Sequence, residues 1–171
     1  MTGETTPICN NTSVGIIVKR FNDLLLIERQ KYPYGFACPA GHVEPHEAYA
    51  SAANRELREE TGLTGRTTTS FTPVAHGKRF NRCRRERGDF HYWIVYQTEL
   101  KDDALYHNTD DLLSHTEDES KRIGFYTPEQ VRHLATRTEL YQAQLISDDE
   151  WRMSPGLEPV WYYWLRSLNL L

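Results

Sequence analysis

Cysteine and methionine are scarce in this chain, with three of one and two of the other in 171 residues. Cys9, Cys38 and Cys83 are odd in number and widely spaced, and they form no C-x-x-C pair. That spacing argues against a zinc ribbon and against a secreted disulfide scaffold. Long apolar runs are missing too. Mean hydropathy is −0.67, and no stretch approaches the roughly 20 consecutive apolar residues that a bilayer helix needs. No membrane partner is expected. The first residues, MTGETTPICNNTSVG, hold neither a basic n-region nor an apolar h-region. A cytoplasmic location is expected, and the overlapping sequons at Asn10 and Asn11 read as incidental. Neither sign of charge dominates: 20 Lys+Arg against 24 Asp+Glu give a net −4. That balance disfavours nucleic acid as a partner. Repeats and low-complexity linkers are also absent.

What is present suits one globular domain over residues 1–171. Hydrophobic residues make up 39% and aromatics 12%, enough to bury a core at this length without staples. Residues 13–19 predict a buried strand, 21–23 a turn, and 24–28 the second arm of a hairpin. Residues 32–34 read as a loop and 36–40 as a short extended segment. The segment 47–61 is rich in Ala, Glu, Arg and Leu, with Pro45 before it and Gly62 after it. It predicts a helix with an apolar stripe of Ala50, Ala53 and Leu57. Residues 67–74 are β-like. Residues 90–98 predict a central strand, apolar on both faces. Another strand is expected over 122–126, then helices from 127 to about 135, over 138–146 and over 159–168. This order predicts an α+β or α/β/α sandwich on a mixed sheet, with residues 138–171 as a C-terminal helical extension.

The informative stretch is GHVEPHEAYASAANRELREETGL, residues 41–63. Glu56, Glu59 and Glu60 stand at i, i+3 and i+4 and share a helix face. Crowded carboxylates repel by about 1 kcal/mol per pair even in water, so they need a counter-charge. An exposed acidic face paired with Arg55 and Arg58 would supply one. A hard divalent cation with oxygen ligands would supply another, and Mg²⁺ suits one or two carboxylates plus substrate phosphates. The full pattern, G-x5-E-x7-R-E-U-x-E-E-x-G-U with U a bulky aliphatic residue, resembles the signature of the Nudix hydrolases. Gly41, Glu47, Arg55, Glu56, Leu57, Glu59, Glu60, Gly62 and Leu63 match every fixed position. The order of elements resembles the family over roughly residues 13–135.

The resemblance implies a Nudix-type α/β/α fold and a loop–helix–loop over the box. It implies Mg²⁺ or Mn²⁺ on Glu56, Glu59 and Glu60, with the Gly41 carbonyl. Glu47 and Arg55 would pair to brace the helix, Gly62 would end it in a left-handed conformation, and Leu57 and Leu63 would enter the core. Many family members take a further acid from a distant loop. Here ESKRIGFYTPEQV offers Glu119 as that ligand or base, and Glu59 is the alternative base. The implied activity is a metal-dependent pyrophosphohydrolase cleaving a diphosphate bond in a nucleoside diphosphate derivative by water attack at phosphorus.

Substrate contacts are less sharply marked. Arg29 and Lys31 lie where the family often contacts substrate. The segment KRFNRCRRER, residues 78–87, offers Arg79 among phosphate-binding candidates, although a solvated hairpin tip is the plainer reading. Phe80, Tyr34 and Phe36 are candidates to stack on a base. The aromatic run 161–164 reads as a helix docking on the core or as the face of a homodimer. His42 and His46 are expected at the surface, Cys38 as a buried thiol and Cys83 as a free surface thiol. The region HGKRFNR carries neither the proline common in ADP-ribose hydrolases nor the tyrosine of dinucleoside polyphosphate hydrolases, and Pro73 falls too early. Two other readings compete. One is a non-catalytic nucleotide sensor of Nudix fold, disfavoured by the intact box. The other is an isopentenyl diphosphate isomerase-like enzyme, for which FACPAGH offers a cysteine.

Overall fold

The structure, a computed structural model, describes residues 8–83, 85–114 and 120–171. It is built outward from β1 (Thr12–Arg20). Val14, Ile16 and Val18 point to one side of this strand and Ile17 to the other, and all four are fully buried. Alternation puts successive side chains on opposite faces, so apolar residues at every position require cover on both. β1 pairs antiparallel with β2 (Asp23–Arg29) and with β4 (Ala40–His42), and parallel with β6 (His91–Glu99). β5 (Thr72–Arg79) pairs antiparallel with β6. β3 (Phe36–Ala37) and β7 (Ser120–Tyr126) both pair antiparallel with β2. The main strand order is β3-β2-β1-β6-β5, with β4 on β1 and β7 on β2.

Helices cover the two faces. On one, α1 (Tyr49–Thr61) sets Ala52, Ala53 and Leu57 against Val14, Ile16, Val18 and Leu25. On the other, α3 (Pro128–Gln142) and α5 (Pro159–Ser167) bring Val131, Leu134, Trp161 and Trp164 onto Ile17, Leu26 and Val95. Two short helices, α2 (Thr109–Leu112) and α4 (Asp148–Met153), lie between elements. The mixed sheet between helical layers is the expected α/β/α arrangement. No helix among the described residues is long and apolar enough to cross a membrane.

Several expectations need correction. Ala50 is exposed, and Ala52 takes its place in the buried stripe of α1. The strand expected over 67–74 starts at Thr72, because the threonine hydroxyls hold a turn instead. Thr67 and Thr68 N–H both donate to the Thr64 carbonyl, and Thr67 Oγ1 accepts from Thr64 N–H. Such side-chain bonds compete with a ladder. The two helices expected around 127–146 are one, α3, through residue 142. The Thr138 hydroxyl donates back to the Leu134 carbonyl and onward to that of Leu157, so it joins the helix to the next segment. α4 was not expected, although Ser147 and Glu150 form a reciprocal capping box, a signal readable from S-x-x-E.

The aromatic run docks on the core: Trp161 and Trp164 are buried, and Tyr163 alone of the four is exposed. The chain before α5 also lies along β3. Phe36 N–H donates to the Gly156 carbonyl, and Glu158 N–H donates to the Phe36 carbonyl. This pairing carries Glu158 and Trp161 to the mouth of the sheet, beside the box.

Candidate active site

The box folds as a strand, a loop and a helix. α1 stops where Gly62 adopts φ 75° and its N–H donates to the Arg58 carbonyl, a left-handed cap that glycine adopts without strain. At the other end, Arg55 gathers the loop onto the helix. Its Nε donates to Glu47 Oε1 and its Nη2 to Glu47 Oε2, both at 3.0 Å. Nη2 also reaches the His42 carbonyl at 2.9 Å, while Nη1 reaches Glu56 Oε1 at 2.7 Å and Glu59 Oε2 at 3.3 Å. This fork is a geometry that guanidinium has and ammonium lacks. The Arg55 bonds, with the Glu44 N–H, hold the Glu47 carboxyl below its usual range, and Glu47 in turn raises Arg55.

Arg55→Ala should lower stability by about 2–3 kcal/mol, less than the 3–5 of a fully buried pair because solvent reaches this network. At this chain length the thermal midpoint should fall by about 4–12 °C. Arg55→Lys should recover part of it. A midpoint equal to wild type in calorimetry would show that the brace is ornamental.

The carboxylates differ in setting. Glu56 has a side chain 14% exposed, against 50% for Glu59. Burial pushes its carboxyl above the usual range, against the pull of Arg55. It lies so close to Gly41 that any Cβ there would overlap the carboxyl group. Glu60 Oε2 accepts from Ala40 N–H at 2.8 Å and so ties β4 to the helix. Glu59 is half exposed and keeps Arg55 and Arg58 beside it. Glu56, Glu60 and Gly41 line a cleft of about 390 Å³. Its other walls include Arg29 from the end of β2, Arg82 and Arg85 from the β5–β6 connection, and Glu158. Acidic and basic side chains thus line one opening.

Of the expected site residues, Gly41, Glu47, Arg55, Glu56, Glu59 and Glu60 come together around α1, although Glu59 is not on the cleft lining. Arg29 is on it. Arg79 and Phe80 line a neighbouring pocket with Tyr163. There the Arg79 guanidinium lies 3.7 Å from the Tyr163 ring centre and 4.2 Å from that of Trp164. Phe80 is 83% exposed. Phe36 packs in the core edge-on to Tyr126. Glu119 lies outside the described residues.

Three residues depart from expectation. His42 and Cys83 are half-buried rather than solvent-facing, because the 80–90 connection folds back against β4. Burial, then Arg85 and His91, lowers His42 to about 4. Glu158, which the sequence reading passed over, is 6% exposed and lines the cleft. Burial raises its carboxyl, and Arg29 opposes that. Its only sequence signal is a charge immediately before Pro159 at a helix start. Cys38 is buried as expected, at 1% exposure, and burial pushes its thiol far up.

Comparison with known proteins agrees with this geometry. A family model described as the NUDIX domain matches residues 10–148. A curated relative, an ADP-ribose pyrophosphatase of Methanocaldococcus jannaschii, is 45% identical over 49 residues, which are 28% of this chain. The match spans only 29% of that relative's length. Among solved structures, the Ap4A hydrolase of C. elegans has a TM-score of 0.55 at 20% identity, covering 78% of this chain and 96% of the other. The protein DR0079 of Deinococcus radiodurans has a TM-score of 0.61 at 17% identity, covering 97% and 87%. At such identities the structural likeness shows the fold. The intact box, the sheet that presents it and a family match across most of the chain lead to one conclusion: the chain belongs to the Nudix hydrolase family.

Proposed function

We propose that this protein is a divalent-metal-dependent pyrophosphohydrolase that cleaves a diphosphate bond in a nucleoside diphosphate derivative. The observation that carries the reading is the carboxylate cluster of α1, braced by Arg55 against β4 and opening on a cleft that Arg29, Arg82 and Arg85 also line. The donors fit Mg²⁺ or Mn²⁺. Glu56, Glu59 and Glu60 are hard oxygen ligands, and the bare Gly41 backbone admits the Glu56 carboxyl against it. When bound, such a cation supplies polarisation of phosphoryl oxygens and a more acidic water.

The chain's own residues do the rest. Arg29 and Arg82 line the same cleft as Glu56 and are the candidates to hold phosphate oxygens, a task that a guanidinium suits through paired N–H donors. Arg55 fixes the orientation of Glu56 and Glu59 through its bonds to both carboxylates. Glu59, half exposed and held by two arginines, suits the base that takes a proton from water, and Glu119 is the alternative. Glu158 makes the wall beside Arg29 and limits the charge that the arginine presents. The intact cluster disfavours a purely sensing role. The depth of Cys38 in the core, away from the cleft lining, disfavours the isomerase-like reading.

Nucleotide is the proposed small-molecule partner. The test is product analysis over nucleoside triphosphates, dinucleoside polyphosphates and nucleotide sugars with Mg²⁺. The name of the curated relative puts ADP-ribose first on the panel. One compound class should turn over, chelation should stop it, and Glu59→Gln should slow it by at least about 100-fold, since even outer-shell changes around a metal cost 10–100-fold. Nucleotide binding with no turnover of any compound would sink the enzyme reading in favour of a sensor.

A further inference from the structure

Three strand registers converge on one spot at the end of the sheet. β1 runs parallel to β6 with Thr12 opposite Tyr92, which sets the residues before β1 beside His91. β1 pairs with β4 so that Ser13 faces His42. The β5–β6 pairing puts Arg79 opposite His91, so the connection holding Cys83 loops over the same place. The result is a cluster of Cys9, His42, Cys83 and His91. Cys9 Sγ lies 3.3 Å from His42 Nε2 and 3.2 Å from His91 Nε2, and Cys83 Sγ lies 3.4 Å from His42 Nε2. All four ligand atoms lie within 4.8 Å of one another.

We propose that these four side chains form a structural zinc site beside the carboxylate site of the hydrolase, with His42, Cys83 and His91 on the lining of the same cleft. The proposal does not rest on the hydrolytic reading. Two thiolates and two imidazoles in four-fold array select Zn²⁺ over hard cations. Zinc bonds of about 2.3 Å to sulfur and 2.0–2.1 Å to nitrogen, at tetrahedral angles, set S and N about 3.6 Å apart. The three S···N separations here need to open by only a few tenths of an ångström to admit the ion. Two thiolates neutralise a divalent charge, so a closed site adds no net charge to a half-buried corner.

The surroundings are arranged for ligands rather than for packing alone. Each sulfur accepts a backbone N–H from two residues on: Asn11 to Cys9 at 3.3 Å and Arg85 to Cys83 at 3.2 Å. The outer nitrogen of His91, Nδ1, lies 3.1 Å from Asn81 Oδ1, which also accepts from Trp93 Nε1 at 3.3 Å. The indole can only donate, so that Asn81 atom is an acceptor and His91 Nδ1 carries the proton. The lone pair on Nε2 is thereby aimed at the cluster, the usual second-shell arrangement around a metal-bound histidine. Gly88 completes the turn, because a Cβ there would overlap Cys83 and crowd Cys9. Backbone bonds from Cys9 N–H to the Glu86 carbonyl and from Cys83 N–H to that of Gly88 close it.

Four protein ligands leave no open position, so the ion would be structural. It would fasten residues 8–10 and the 80–90 connection to β4, one residue from Gly41. Arg82 and Arg85 ride on that connection at the cleft wall. The site therefore sets the shape of the cationic wall without joining the reaction.

The test is metal analysis of the full chain purified from zinc-containing medium without chelator. About one zinc per chain is expected for wild type and for Glu59→Gln, and less than about a tenth for Cys9→Ser/Cys83→Ser. Where the serine variant does not fold, wild type itself decides. Cobalt added to zinc-free protein should give thiolate-to-cobalt charge-transfer bands and intense tetrahedral d–d bands. A mercurial should release the zinc as two thiols react, with Cys38 protected in the core. Wild type that carries no zinc and gives no such cobalt spectrum overturns the proposal. So does zinc that disappears with Glu59→Gln and persists in the serine variant, since the ion would then sit on the carboxylates.

Discussion

Glu56→Gln should reduce hydrolysis of the preferred nucleotide by more than about 100-fold, beyond the range typical of outer-shell changes at metal sites, while the protein stays folded. The reason lies in its position. The Glu56 side chain is less exposed than those of Glu47 and Glu59, the other carboxylates bonded to Arg55. It sits against the Gly41 backbone and on the cleft lining. An amide of the same shape keeps one oxygen for Arg55 but removes the negative charge a hard cation needs. Burial already disfavours the ionised form of this residue, so the neutral amide should not cost folding stability. The expected pattern is a collapse in kcat, a raised requirement for Mg²⁺ and an unchanged or higher thermal midpoint without metal. Activity within threefold of wild type would remove Glu56 from the metal-binding set.

Trp161→Ala should be the most damaging single change to the fold. The indole is fully buried in the layer between sheet and α5, edge-on to Trp93 with ring centres 6.0 Å apart. It lies so close over Gly15 that a Cβ there would press into the ring. Truncating a buried tryptophan costs about 3–5 kcal/mol through lost transfer energy and the cavity left behind. In a chain of this size that lowers the thermal midpoint by about 6–20 °C. The indole also lines the cleft, so an effect on KM should accompany the loss of stability. Denaturant melts with a shift under 1 kcal/mol would mean that the site collapses to fill the void, and that α5 is not the structural wall described above.

The parts of this molecule that were legible in its sequence are those whose logic is local. Gly62 had to be glycine for a left-handed cap, Arg55 and Glu47 are brought together by a single loop and helix, and the apolar residues of β1 and β6 mark central strands by themselves. Errors arose where side chains replaced a local rule. Threonines turned the chain at 64–68 and delayed β5, and Thr138 carried α3 through a stretch that looked like a boundary. Ala50 falls in the exposed first turn of α1, and Ala52 is the residue that is buried. The Cys9, His42, Cys83 and His91 cluster was illegible for a topological reason. Its members come from four separated stretches, and only the parallel β1–β6 pairing and two antiparallel ones assemble them. A search for ligand spacing along the chain sees three unrelated cysteines. Glu158 was hidden in the same way, since it reaches the cleft through backbone pairing with β3 that no periodicity announces.

That last pairing has a corollary for the cleft wall. The family match ends at residue 148, yet Glu158 and Trp161 form part of the cleft wall. The carboxylate cluster and this part of the cleft wall therefore lie on different stretches of chain. A different side chain at 158 would present the same carboxylates with a differently shaped chamber, whereas Trp161 also holds the core. A change confined to position 158 would alter the cleft wall and leave the box residues in place.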